Sequence, residues 1–452
     1  MNGGNDAPRR KVLLAGAIGN FVEWYDFALY GFFATTIASV FFPKTNPTAA
    51  LLATFGIYAV TFVVRPLGGI VFGHLGDRMG RRFTLLMSVL LMCAGTFIIG
   101  ILPGYAQIGV AAPVLLLLCR LMQGFSVGGE NTGANIFIIE HAPSGMRGRF
   151  AAVGPAIVNV TQVFGVLVVV AITSATTPEQ LTSWAWRVPF LAAAPLALIG
   201  VYLRLRVEES PVFTALRAEG HIESAPVKQA IKTAKTRILI LVGWAMANAV
   251  ALYLLGTFIL AYLTVTVGFS KTKSLIVVLV ESIVGVGACL LAGYCIDRLG
   301  RKQIAIISAV GLGVCAVPTF MLLPHSNVLA ASVIVGVLAL FTSGMTTTTT
   351  LAVVELFPDR IRASASALGY NISFALFGGS TPFLATWLVG QGFPLAPGFY
   401  LAGLCVIATF VGAVGIGNRR QVTVGHEGMS APEEPASHQL MEGSNNLSAE
   451  SR

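Results

Sequence analysis

GHLGDRMGRR, residues 73–82, and GYCIDRLGRK, residues 293–302, are two copies of one motif set 220 positions apart. A second pair, EHAPSGMRGRF (140–150) and ELFPDRIRASA (355–365), repeats at an offset of 215. Two different motifs keeping nearly one spacing imply a chain built from two halves that run in the same direction. Working outward from these motifs, each is flanked by long apolar runs. Of the residues, 55% are hydrophobic and only 11% charged, against about 25% charged in an ordinary soluble domain. Apolar runs of about 20 residues recur along nearly the whole chain and are not amphipathic, the signature of membrane-spanning helices. A large soluble core would need polar faces that these runs lack.

Twelve spans are predicted, approximately 13–42, 50–73, 83–103, 111–140, 150–174, 186–204, 237–267, 273–296, 304–324, 328–355, 363–390 and 395–417. The fold expected is therefore all-α: a polytopic membrane protein with 12 transmembrane helices in two parallel six-helix bundles around a central cavity. The expected division is an N-terminal bundle over 1–204, a polar linker over 205–236, a C-terminal bundle over 237–417 and a disordered tail over 418–452. The tail is polar and has no heptad pattern.

Basic residues cluster before the first span, between spans two and three and four and five, in the linker, and between spans eight and nine and ten and eleven. With twelve spans all of these fall on one side. The other side keeps little beyond Lys44, Lys271 and Lys273, with Arg187 at a helix end. The positive-inside rule then predicts both termini in the cytoplasm of a cell whose inner (plasma) membrane holds the chain. It also accounts for the net charge of +9 without nucleic acid as a partner. The six cysteines show no metal-ligand or redox spacing, so neither a metal nor any other cofactor is expected. No cleavable signal peptide is expected either, since the first apolar segment runs on past any cleavage site.

GHLGDRMGRR and its second copy resemble the loop signature of the major facilitator superfamily. Within it, GNFVEWYDFALYGFFA (19–34), RPLGG (65–69), CRLMQGFSVGGENTGA (119–134), WAWRVPF (184–190) and the linker start VEESPVF resemble the metabolite:proton symporter family. That family includes proline/betaine, α-ketoglutarate, shikimate and citrate transporters. QGFSVGGENTGA is most like the proline/glycine betaine branch, whereas GHLGDRMGRR is as much like the shikimate branch. The resemblance implies a bacterial setting, alternating access and proton-coupled uptake of a small metabolite. The long C-terminal coiled coil of osmosensing members has no counterpart in this tail.

Charges at mid-membrane cost from about 2.5 kcal/mol upward and so mark function by default. At 1.5 Å of rise per residue, Glu23, Arg65 and Glu130 fall near one depth, and Asp26 and Arg120 near another. Two carboxylates beside one guanidinium cannot both ionise cheaply. Glu23, Asp26 and Glu130, with Arg65, are therefore the proton-coupling candidates. A static ion-pair network is the plain alternative, but a surplus acid serves no packing purpose. Arg120 offers a planar fork suited to a substrate carboxylate. Tyr30, Gln123 and Asn131 share its level or face, and Tyr253, Glu281 and Asn371 are the substrate-binding candidates of the second half.

In the loop signatures, Gly73 and Gly80 permit tight turns. Asp77, repeated as Asp297, is placed to cap a helix or to pair with arginine. With Arg78, Arg81, Glu140, Arg147, Arg298, Glu355 and Arg362 these form a predicted cytoplasmic gate. The expected function is proton-coupled import of a small organic carboxylate or zwitterion, with the lipid bilayer as surroundings. Proton-driven efflux and a transporter-like sensor are the alternatives. No nucleophile or metal constellation suggests an enzyme.

Overall fold

The computed structural model describes residues 20–205 and 226–416, interrupted at 22, 44, 80, 128–134, 137, 140–141, 144 and 359–360. At 70, 73–79, 81–85, 197, 200–201, 203–205, 226–230 and 363 it describes the backbone alone. The chain divides into two units, Met1–Gly417 and Asn418–Arg452. Every described helix belongs to the first unit. The expected tail and most of the expected linker (206–225) lie outside the described residues.

Among the described residues every regular element is helical. α1 covers 20–41 with a break at Phe33, α2 is Pro47–Met79, α3 Arg81–Ile101 and α4 Ala111–Val127. α5 is Arg147–Ala175, α6 covers 187–205, α7 is Ile231–Val265 and α8 Lys271–Leu299. α9 is Arg301–Leu322, α10 Val328–Glu355, α11 Ser364–Gly390 and α12 Ala396–Gly415.

Eight of these are uninterrupted and apolar enough to cross a membrane. The other four have physical reasons for looking shorter. α1 is broken where Phe33 leaves helical geometry (φ −98°, ψ 9°). α6 is assembled from Arg187–Leu191 and Ala193–Leu205. The apolar stretch of α3 is Leu86–Ile101, and α4 runs up to residues outside the description. Helix ends are set locally: Ser270 accepts from Lys273 N–H at the start of α8, and Asn327 accepts from Ala330 N–H at the start of α10. Gly300, at φ 101°, turns the chain between α8 and α9 with a backbone that side chains rarely adopt.

Packing follows the repeat. α2, α3, α4 and α6 pack together in the first half, as do α7 to α12 in the second. The halves meet along two seams, α5 against α8 and α2 against α11. Small residues bring the backbones together, as expected where packing rather than water drives association. A Cβ on Gly148 would lie 2.5 Å from Gly293 O, and one on Gly379 would lie 2.5 Å from the Phe62 ring.

Two helices of the second half each contain one turn of π-helix, Leu254–Phe258 in α7 and Phe374–Gly378 in α11. Such turns insert a residue into the helical ladder and gather at functional sites. Here they lie next to Tyr253 and Phe374, whose rings stand 6.2 Å apart. On the first-half side, Pro66 follows Arg65 inside α2, where a missing N–H loosens the ladder.

Candidate functional site between the two halves

Along α1 the residues Glu23, Asp26, Phe27 and Tyr30 recur at helical spacing and share one face. Their partners come from three other helices. Asp26 Oδ2 accepts from Arg120 Nη1 of α4 at 2.6 Å, and Asp26 Oδ1 accepts from Thr96 Oγ1 of α3 at 2.8 Å and Gln123 Nε2 at 2.7 Å. Gln123 closes the ring: its Oε1 accepts from Arg120 Nη1 at 2.8 Å and its Nε2 also donates to Thr96 at 2.8 Å. Asp26 is 1% exposed and Arg120 fully buried. The guanidinium carbon sits 4.2 Å from the Tyr30 ring centre, with Phe27 at 5.3 Å and Tyr58 at 5.4 Å. Ring faces favour a desolvated cation, by up to about 2 kcal/mol. Nε and Nη2 of Arg120 have no hydrogen-bond partner among the described residues, so the fork holds unused donors.

The second pair is looser. Arg65 Nη2 stands 3.6 Å from Glu23 Oε1, and the guanidinium lies over Phe62 at 4.3 Å and Phe27 at 4.8 Å. Phe27 thus lies between the two arginines, one layer for each charge pair. Both depth pairs expected from helix geometry, Glu23 with Arg65 and Asp26 with Arg120, are in contact. Glu130 and Asn131 lie outside the described residues.

Between the charges of the first half and the second half lies an aromatic layer. Tyr253 packs against Trp24 at 6.4 Å, Tyr58 at 6.0 Å and Phe62 at 5.2 Å between ring centres. Tyr58 Oη and Thr257 Oγ1 meet at 3.3 Å across the halves, and Tyr370 stacks on Phe374 at 4.0 Å. Tyr30 is not free for a ligand at its hydroxyl, which donates to Thr54 O at 3.0 Å. Glu281 is buried in α8 and accepts from Ser282 Oγ at 3.1 Å. Asn371 is half-buried on α11, beside Tyr370.

Thr96, Trp24, Tyr58, Phe62, Gln162 and Thr257 belong to this region without being candidates on sequence. Asn159 and Gln162, one turn apart in an otherwise apolar run, carry a readable signal. Thr96, one hydroxyl among many, does not.

At the arginine-rich end the halves are tied together. Asp297 of α8 accepts from the N–H groups of Gly148 (2.7 Å) and Arg149 (3.2 Å), capping α5 from across the seam. Arg149 Nε is 3.6 Å from the same carboxylate. Glu355 lies between Arg147 at 3.5 Å and Arg301. Arg298 and Arg149 both lie over the Tyr294 ring, at 5.3 and 5.1 Å. Arg362 starts α11. Gly80 and Glu140 lie outside the described residues, as do the side chains of Asp77, Arg78 and Arg81; Gly73 is described by its backbone alone. At the opposite end a cavity of about 430 Å³ lies between the halves, lined from α1 (Thr35, Ser39), α2 (Thr48, Leu51), α7 (Phe258, Tyr262) and α11 (Thr386). Among the described residues, ties across one end and a hollow toward the other fit one state of an alternating-access device.

Two six-helix halves, buried charges at their junction and a cavity between them define a membrane transporter. The chain belongs to the sugar (and other) transporter family, whose profile it matches twice, over residues 12–237 and 217–423. It is 37% identical over 426 residues to the proline/betaine transporter of Salmonella typhimurium, covering 90% of this chain and 83% of that one. It is 36% identical over 429 residues, with the same coverage, to the glycine betaine/proline/ectoine/pipecolic acid transporter OusA of Dickeya dadantii. Among solved structures, the proton:xylose symporter XylE bound to 6-bromo-6-deoxy-D-glucose superposes with a TM-score of 0.71 at 19% identity, covering 90% of this chain and 95% of that one. A D-xylose-proton symporter superposes with a TM-score of 0.73 at 17% identity, over 92% and 100%. These two likenesses speak for the major facilitator fold. The family and the sequence relatives are transporters, not enzymes.

Proposed function

We propose that the protein imports a small organic carboxylate or zwitterion together with protons, by alternating access at the layer between its halves. The observation that carries this reading is the Asp26–Arg120 pair: a buried charge pair joining the first helix to the fourth, beside that layer. Asp26 is the proton carrier. Its protonation removes the anion that balances a buried guanidinium, and an unbalanced charge of this kind costs about 3–5 kcal/mol. An incoming carboxylate at Arg65, on the other side of Phe27, brings negative charge near Arg120 and lowers that cost. Proton and substrate therefore favour each other's binding. The looser Glu23–Arg65 pair adjoins the aromatic layer; there the substrate carboxylate competes with Glu23 for Arg65, and Glu23 is protonated as it yields.

The distribution of arginines supports a cytoplasmic position for both termini and for the sealed end. The cavity then faces outward, as an importer awaiting substrate requires. The similarity to proline/betaine transporters supports small zwitterions as the substrate class. The test is uptake of radiolabelled proline or glycine betaine into proteoliposomes under an imposed inward proton gradient. Accumulation above equilibrium supports symport. Accumulation that persists after a protonophore has collapsed the gradient would sink it.

A further inference from the structure

Three acids in the described spans are buried, and two of them face an arginine. The third, Glu281, is 6% exposed and has no ion pair among the described residues; its one hydrogen bond comes from its neighbour Ser282. Lys271, on the same helix, is ten residues away, roughly 15 Å of rise. Arg147, Arg149, Arg301 and Lys302 stand at the sealed end of the neighbouring helices. A buried anion without a counter-charge is expensive and calls for a cation.

The α5–α8 register places a second acceptor beside it. These helices run antiparallel, with Gly148 against Gly293 and Asn159 against Gly285. One turn further along brings Gln162 level with Glu281. Gln162 Oε1 is buried and has no hydrogen-bond partner among the described residues. Its amide also reaches α7: a Cβ on Gly256 would lie 2.5 Å from Nε2. One turn before Gly256, about 5.4 Å along the helix, comes Tyr253. Its hydroxyl, like Trp24 Nε1 and Arg65 Nε, is buried without a partner among the described residues. Unpaired donors thus face the first-half charges, and an unpaired acceptor lies one turn along with a carboxylate that has no counter-charge among the described residues. Each buried group left alone costs about 1–3 kcal/mol, and one small dipolar molecule would satisfy both sets.

We propose that the layer between the halves reads a zwitterion end to end. Arg65, Trp24 and Tyr253 receive the carboxylate, and Glu281 with Gln162 receives the ammonium. This rests on the transport reading but assigns what that reading leaves open: which groups read the positive end. A secondary ammonium has two N–H donors for the two acceptors. A quaternary ammonium has none, so it depends on Glu281 by charge alone and is indifferent to Gln162.

The test is the dissociation constant of purified full-length protein for three probes: proline, glycine betaine and cyclopentanecarboxylate, the last having proline's shape without its nitrogen. Wild type is expected to prefer proline to cyclopentanecarboxylate by at least roughly tenfold, and Glu281→Gln to abolish that preference while cyclopentanecarboxylate affinity changes by less than about twofold. Gln162→Leu, which leaves the acid in place, is expected to weaken proline more than glycine betaine. Equal losses for proline and cyclopentanecarboxylate in Glu281→Gln, or an undiminished preference for proline, overturn the proposal. So does wild type showing no preference for either zwitterion. Proton-driven uptake by wild type is measured in parallel. If uptake is present and the Glu281 effect absent, only this inference fails; if uptake is absent, the transport reading fails.

Discussion

Asp26 and Arg120 differ from an ordinary buried ion pair in how their remaining valences are used. The carboxylate is fully engaged by Arg120, Thr96 and Gln123, whereas the guanidinium keeps Nε and Nη2 unspent over the Tyr30 ring. A pair built only for stability would satisfy both partners. The asymmetry predicts that Asp26→Asn keeps most of the hydrogen bonds, folds, and retains solute exchange while losing accumulation by roughly tenfold or more. Counterflow and gradient-driven uptake measured side by side decide this; equal loss of both would make Asp26 structural. Like Asp26→Asn, which leaves the guanidinium unbalanced, Arg120→Met strands a buried charge. Arg120→Met also removes the carboxylate's donor, and it is expected to cost about 3–5 kcal/mol of stability. Its melting temperature in detergent checks that, and an unchanged value would contradict the burial argument. Both pairings were legible in the sequence, because depth along a helix needs only 1.5 Å per residue. The supporting threonine was not: Thr96 is 70 positions from Asp26, and nothing local distinguishes it from other hydroxyls that bond back to their own helix.

At the scale of helices, the α5–α8 seam is the best-defined contact between the halves, and in the proposed cycle it is the part that opens. Gly148 and Gly293 meet backbone to backbone, and Asp297 caps α5 only while they do. A Cβ at Gly293 would lie 2.7 Å from Gly148 O. Gly293→Val is therefore expected to hold the seam apart and shift the population away from the sealed state. Asp297→Asn should act in the same direction more weakly, by about 0.5–2 kcal/mol, the worth of a helix cap. Disulfide cross-linking of Asn159→Cys to the native Cys289, whose side chains meet at 3.6 Å across the seam, reads it directly. An unchanged yield in Gly293→Val would contradict the assignment. The loop motif was readable as a repeat, and so was Asp297 as a cap. The π-helical turns beside Tyr253 and Phe374 were not, because one inserted residue barely disturbs hydrophobic periodicity. Contacts such as Tyr58 with Thr257, 199 positions apart, depend on how the two halves dock, which no local pattern encodes.

For the whole molecule, the repeat, the arginine distribution and the cavity support one state: the halves tied together at the arginine-rich end among the described residues, with a chamber of about 430 Å³ toward the other. A cysteine at Thr48 or Ser39 is expected to react with a membrane-impermeant thiol reagent added to intact cells. A cysteine at Ala152, buried in the seam, is expected to be protected. Of the six native cysteines, Cys93, Cys119, Cys289 and Cys405 are buried, and none is in a disulfide, which keeps the background low. Reversed reactivity would mean that the resting state or the orientation is the opposite one. Substrate chemistry belongs to this scale as well, since the proposed recognition draws on groups from α1, α2, α5, α7 and α8 together. The measurement that bears most directly on the central claim is proline uptake into proteoliposomes holding wild type or Asp26→Asn, with and without an inward proton gradient. Gradient-driven accumulation by wild type, with only exchange surviving in Asp26→Asn, is the predicted result. Accumulation by Asp26→Asn at the wild-type level, or wild-type uptake indifferent to the gradient, would contradict it.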